Sequence, residues 1–236
     1  MLPLALENVS FTIGGKAIID RISAEFGVGP RTAILGPNGA GKSVLMRLCH
    51  GLLKPTTGSI VWRGPNAPDG NRRQAMVFQR PVMLRRSALA NIVYALKLAG
   101  VPPGEREQRA LDVLDAVDLL PLAHRPARVL SGGEQQKLAL ARVWALGPEV
   151  LFLDEPTANL DPGATRDIEA IIAAIHATGT KIIMNTHNLG QARRLGDEIV
   201  FLYGGRLIER ALVADFFAAP VSAEARQFIR GELPWQ

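Results

Sequence analysis

The 236-residue sequence holds one cysteine, only 6% aromatic residues, and no apolar run approaching the roughly 20 residues a membrane-spanning helix needs. A lone cysteine cannot close an intramolecular disulfide, and the apolar surroundings of Cys49 point to a reduced compartment. The N-terminal stretch MLPLALENVSF has no basic segment followed by a long apolar core, so no signal peptide is expected. Charge is present but not clustered. The 27 Lys+Arg against 22 Asp+Glu give a net +5, yet the arginines are scattered or paired (Arg72-Arg73, Arg85-Arg86, Arg193-Arg194). Without a basic block or interleaved aromatics, no nucleic-acid partner is expected; a surface near anionic lipid or an acidic partner accounts for the charge equally well. Internal repeats and low-complexity segments are also missing. The remaining composition, 47% hydrophobic and 21% charged, excludes a disordered chain, and the length suits one domain over 1–236.

The hydropathy pattern divides that length. Leu4–Thr12 and Ala17–Phe26 lean towards β structure around the Gly14-Gly15 turn, and Arg31–Leu35 is a short apolar strand. A helix starts near Lys42, Pro55–Asn71 reads as turn-rich, and Gln74–Phe78 reads as a strand. From about 80 to 146 the pattern is helical: Leu89–Leu98, stopped by Gly100 and Pro102-Pro103, then Arg106–Leu120 and Ser131–Leu146. Apolar strands at Val150–Leu153, Lys181–Asn185 and Ile199–Tyr203 follow, with a helix carrying Ile168, Ile171, Ile172 and Ile175 on one face, and Arg206–Glu209 closing the series. Short apolar strands alternating with helices predict an α/β fold with a mixed, largely parallel sheet. An antiparallel β region precedes it, and a helical subdomain (about 80–146) is inserted between core segments 1–79 and 147–236.

Three motifs carry chemistry. Gly36-Pro37-Asn38-Gly39-Ala40-Gly41-Lys42-Ser43 follows a strand and opens a helix, the context of a phosphate cradle. Its glycines let backbone N–H groups close around phosphate oxygens at the positive end of the helix dipole. Lys42 places a point charge on the β- and γ-phosphates, and the Ser43 hydroxyl suits Mg²⁺. The apolar strand Val150–Leu153 ends in Asp154-Glu155, where α/β proteins place ligands; Asp154 can hold Mg²⁺ and Glu155 can orient and deprotonate a water. Ser131-Gly132-Gly133-Glu134 opens a helix with a capping box, and its adjacent glycines leave N–H groups able to receive an anion.

In this order and spacing, the cradle, LSGGE and FLDEP resemble the ATPase subunit of ATP-binding cassette (ABC) transporters, over about Leu4 to Tyr203. The P-loop NTPase fold is what the resemblance implies, and it matches further residues to family stations. Gln79 corresponds to the Q-loop glutamine, Asp161 in Asn159-Leu160-Asp161 to the D-loop, and His187 to the switch histidine. It implies a second copy of the chain, with two ATPs sandwiched head to tail. Each ATP would touch Lys42 and Ser43 of one copy and Ser131 and Gly133 of the other. Glu155, His187 and Gln79 would be catalytic, with Gln79 joining Ser43 and Asp154 around Mg²⁺.

The resemblance also implies separate transmembrane permease subunits, an extracytoplasmic solute-binding protein acting through them, and a peripheral position on the cytoplasmic side of a prokaryotic inner membrane. Phe78–Ser87 with Asn91, and the tail Phe216-Phe217…Phe228…Gly231-Glu232-Leu233, look most like ATPases of tungstate-type oxyanion importers. Phosphate and amino-acid importer ATPases are close alternatives. A non-transport cassette would usually carry two cassettes or a coiled-coil insertion, and a P-loop kinase has no use for LSGGE. The sequence departs from the family pattern at Ile13, where an aromatic commonly stacks on adenine, with Phe11 nearby. Cys49 and Trp144 are expected in the core, and His50, His124 and His176 have no expected catalytic role.

Overall fold

A computed structural model describes residues 1–64 and 73–232 of the chain. Part of the turn-rich Pro55–Asn71 stretch, Arg72 and the tail residue Leu233 therefore lie outside the described residues. Packing divides the chain into two units. The first comprises Met1–Gln74, Glu149–Glu155 and Lys181–Gln236; the second comprises Ala75–Pro148 and Pro156–Thr180, so it contains the helix Pro162–Ala177 in addition to the 80–146 helices.

In chain order, the first unit contributes β1 (Leu4–Ile13), β2 (Lys16–Phe26), β3 (Thr32–Leu35), α1 (Lys42–His50) and β4 (Thr57–Trp62). Strand β5 (Gln74–Val77) leads into the second unit, which holds α2 (Ala88–Leu98), α3 (Pro103–Ala116) and α4 (Gly132–Trp144). Strand β6 (Val150–Asp154) belongs to the first unit, α5 (Pro162–Ala177) to the second. The first unit then ends with β7 (Lys181–Asn185), α6 (Leu189–Leu195), β8 (Glu198–Tyr203), β9 (Arg206–Leu212), α7 (Val213–Ala218) and α8 (Ala223–Arg230).

The first unit contains a three-stranded antiparallel sheet, β2-β1-β4, and strands in the order β6-β7-β3-β8-β9. Strands β6, β7, β3 and β8 are mutually parallel and β9 is antiparallel, giving the mixed, largely parallel sheet expected from the apolar runs. Val150–Leu153 and Ile182–Met184 are wholly buried, as strands covered on both faces must be. Against β8, Phe201 packs on Phe216 and Phe228 at ring-centroid distances of 5.8 and 5.3 Å, which anchors α7 and α8.

Three sequence readings are corrected. Within the turn-rich stretch, Thr57–Trp62 is a strand, paired antiparallel with β1 (Leu4 opposite Trp62, Glu7 opposite Ser59). Gly58 hides it from propensity, yet a Cβ there would lie 2.4 Å from the carbonyl oxygens of both Glu7 and Asn8. The close approach of two backbones demands the residue that weakens the strand signal.

The helix placed at Arg106–Leu120 spans Pro103–Ala116 instead. Pro103 occupies the first helical turn, where its missing N–H goes unmissed, so the residue read as a stop is a start. Trp144 is only partly buried, whereas Cys49 is 1% exposed. The indole closes α4, and a ring that large is seldom fully enclosed.

Candidate functional site

Parallel pairing brings three strand ends to one level. Asp154 at the end of β6 lies opposite Asn185 at the end of β7, and Asn185 lies opposite Ile34 of β3. The C-terminal edge of a parallel sheet is where α/β proteins assemble ligand sites, and each strand here delivers a functional residue there.

From β3 the chain runs through Gly36–Gly41 into α1. Gly41 caps that helix at φ +95°, and a Cβ on it would come within 2.7 Å of Ile19 Cδ1 and 2.9 Å of the Ile18 carbonyl oxygen. Only glycine meets both the left-handed backbone and the close contact. Lys42 follows, 6% exposed, its ammonium donating to the carbonyls of Gly36 at 2.8 Å and Pro37 at 2.9 Å. Burial pushes its pKa below the usual lysine range, with Glu155 and Asp154 partly opposing. Ser43 Oγ donates to Asp154 Oδ1 at 2.8 Å, and an Arg47 guanidinium nitrogen stands 4.0 Å from Asp154 Oδ2.

Immediately after β6, Glu155 adopts a left-handed backbone, φ +48°. A non-glycine residue held there costs about 1–3 kcal/mol, a strain typical of functional positions. Its N–H donates to Asn185 Oδ1 at 2.8 Å, and its carboxylate lies 2.9 Å from His187 Nδ1. His187 is exposed and Glu155 half-buried, so the pair sits at the surface of the site rather than in the core. Lys42, Ser43, Asp154, Glu155 and His187 thus come together in the first unit.

A cleft of about 520 Å³ opens over Lys42, Ser43 and Glu155, lined also by Lys16, Ala17, Ile18, Asn38, Gly39, Gly41, Val44 and Gly204-Gly205. Among the described residues no aromatic side chain lines it. Ile13 is 59% exposed. The register of β1 slips on either side of Phe11, so residues 11 and 13 do not share a face by simple alternation.

The remaining expected site residues belong to the second unit. Gln79 follows β5 and is exposed. Ser131 caps α4: its Oγ accepts from Glu134 N at 3.3 Å while Glu134 Oε2 accepts from Ser131 N at 2.7 Å, completing the capping box. The Ser131 N–H donating to its carboxylate, with the Ser131 side chain assisting, holds the Glu134 pKa below the usual carboxylate range. Gly132 and Gly133 form the first turn of α4. Asp161 caps α5, accepting from Gly163 N at 2.8 Å and Ala164 N at 3.0 Å, and those bonds lower its pKa.

Sequence reading passed over Asn185, which is fully buried and touches Ser43, Asp154 and Glu155. The available signal was the one that exposed Asp154: a polar residue closing an apolar strand. Lys16, Ala17, Ile18 and the Gly204-Gly205 turn were missed as cleft walls because only the packing of separate loops places them there.

Comparison with known proteins decides the family. Residues 19–158 match the family described as ABC transporter. The chain belongs to that family. It is an ABC-type ATPase. The tungstate uptake system ATP-binding protein TupC of Peptoclostridium acidaminophilum is 38% identical, covering 88% of this chain and 98% of the relative. The phosphate import ATP-binding protein PstB 2 of Natronomonas pharaonis is 35% identical over 98% of this chain and 87% of its own length. Among solved structures, a dimeric ATP-binding cassette in a post-hydrolysis state with ADP and Pi superposes with TM-score 0.77 at 26% identity, covering 89% of this chain and 98% of that one. An ATP-binding subunit of an ABC transporter gives TM-score 0.82 at 25% identity, covering 98% of this ABC ATPase and 99% of that chain.

Proposed function

We propose that this ABC ATPase drives uptake of a small solute, tungstate or a related oxyanion, as the motor subunit of a multi-subunit importer. The observation that carries the motor reading is the convergence at one sheet edge of Lys42, Ser43 and Glu155, which line one cleft, with Asp154 bonded to Ser43 and His187 beside Glu155. The importer and oxyanion readings are supported by the likeness to the tungstate and phosphate uptake proteins. Uptake of phosphate or an amino acid is the alternative within the same class.

In this mechanism the cradle N–H groups and Lys42 hold the β- and γ-phosphates of ATP. Ser43 and Asp154 fit Mg²⁺, since a hydroxyl beside a carboxylate is a hard-oxygen donor pair that phosphate oxygens and water complete. Bound there, the ion neutralises charge on the β- and γ-phosphates. Glu155 accepts a proton from a water whose oxygen attacks the γ-phosphorus; the bond to the bridging oxygen breaks, leaving ADP and Pi. His187, already beside Glu155, holds that carboxylate and contacts the γ-phosphate.

A second copy supplies Ser131, Gly132, Gly133 and Glu134 to the same nucleotide, and Asp161 sits in the loop that faces it. The γ-phosphate then clamps two bodies and its loss frees them, a change that separate permease subunits convert to transport. Among the described residues no helix is long and apolar enough to cross a membrane, so in this reading the membrane spans belong to the permease. A solute-binding protein delivers cargo from outside, while the ATPase works at the cytoplasmic face of the inner membrane; no nucleic acid is involved.

The test is purification followed by reconstitution. A multi-span membrane protein should co-purify, and vesicles containing the complex should accumulate tungstate in an ATP-dependent way. Recovery with ribosomes or DNA and no membrane partner defeats the transport reading. ATP-driven uptake of phosphate or an amino acid but not tungstate replaces the substrate alone.

A further inference from the structure

Asn185 is the last residue of β7 and has no exposed surface. Its Nδ2 donates to Asp154 Oδ1 at 2.6 Å and to Ser43 Oγ at 3.2 Å, while its Oδ1 accepts from Glu155 N at 2.8 Å. The amide orientation follows from chemistry, because a carboxylate cannot receive a bond from Oδ1 and a backbone N–H cannot donate to an NH₂ group. One carboxamide therefore ties together the cradle hydroxyl, the strand-end carboxylate and the peptide that carries Glu155.

We propose that Asn185 is a positioning residue for the metal-bearing side of the nucleotide site. On Asp154, its amide and the Ser43 hydroxyl share Oδ1, which fixes the carboxylate beside that hydroxyl. On Glu155, its Oδ1 receives the N–H of a residue in left-handed backbone, φ +48°, and that conformation directs the carboxylate to His187. An apolar strand residue in its place would pack as well, but it would leave Asp154 Oδ1 with one donor fewer and the Glu155 peptide without its side-chain acceptor. Partners that orient metal ligands typically matter by 10–100-fold in metal affinity, although they never touch the ion.

The inference rests on the nucleotide reading above, and the experiment separates the two. Wild type and Asn185→Leu are titrated with fluorescent AMP-PNP, first in EDTA and then across a Mg²⁺ series, with thermal melting recorded alongside. Asn185→Leu should raise the Mg²⁺ concentration for half-maximal tightening about 10-fold or more. Its affinity in EDTA should stay within about twofold, because the cradle amides and Lys42 are untouched. A merely structural role moves both affinities together with the melting temperature, or moves neither, and either result overturns the proposal. Should Asn185→Leu fail to fold, Asn185→Thr removes the carboxamide from a β-compatible position and carries the same expectation. Wild type without AMP-PNP binding, or without Mg²⁺ tightening, overturns the nucleotide reading and the inference with it. Wild type that behaves as expected beside variants with its Mg²⁺ midpoint overturns the role of Asn185 alone.

Discussion

His187 Nδ1 stands 2.9 Å from Glu155 Oε2, joining the loop after β7 to the end of β6 across 32 residues of sequence. Glu155 is thereby held from two sides, its side chain by His187 and its N–H by Asn185. An exposed histidine paired with a half-buried carboxylate on a strained peptide is an arrangement suited to steering a proton acceptor at a cleft mouth.

Glu155→Gln should bind ATP as wild type does, lower hydrolysis about 10²–10⁴-fold, and give a dimer visible by size exclusion in ATP. His187→Ala should also lower turnover, and the double variant should lose little more than the worse single one, since both act through one hydrogen bond. Steady-state kinetics on the four proteins checks this; strictly multiplicative losses contradict a shared role.

Lys42→Met should weaken ATP binding about 100-fold while leaving the melting temperature unchanged or higher. The sign follows from the lowered pKa of Lys42, which burial causes. The unfolded chain holds the lysine proton more tightly than the folded one, so at neutral pH the buried charge costs stability, and the cost lifts as pH rises towards the unfolded value. Gly41→Ala should do the reverse, lowering the melting temperature through its φ of +95° and the clash with Ile18 and Ile19. Calorimetry paired with nucleotide titration distinguishes the two.

Cys49, 1% exposed, has its pKa pushed up to about 12 by burial. It should resist maleimide at pH 8 in the folded protein and react at once in guanidinium. Below about 8.5 both states keep the thiol proton; between there and 12 only the unfolded chain releases it, so stability should fall as pH climbs through that window. Rapid labelling of the native protein excludes this burial.

Ser131→Arg should abolish turnover, because the first turn of α4 could no longer approach a phosphate carried by another copy. A dimer of one Ser131→Arg chain and one Lys42→Ala chain should then keep at most one working site. Full wild-type activity in that mixture rules out sites shared between copies.

The sequence by itself determined the local chemistry. The cradle, the capping box at Ser131 and the apolar strand running into Asp154-Glu155 are contiguous motifs, each recognisable within a few residues, although only the fold joins Ser43 to Asp154. Strands covered on both faces were legible for a similar reason, since double burial leaves an unbroken apolar run. The C-terminal helices α7 and α8 were not, because the contact of Phe216 and Phe228 with Phe201 is decided by distant packing. Only the tertiary structure decided that Thr57–Trp62 is a strand, since its pairing partner lies some fifty residues earlier and its closest contact requires a glycine. Only the structure decided which polar strand end matters. Asn185 looks like any residue closing an apolar run until parallel pairing sets it opposite Asp154, and that register is a property of the sheet rather than of either segment.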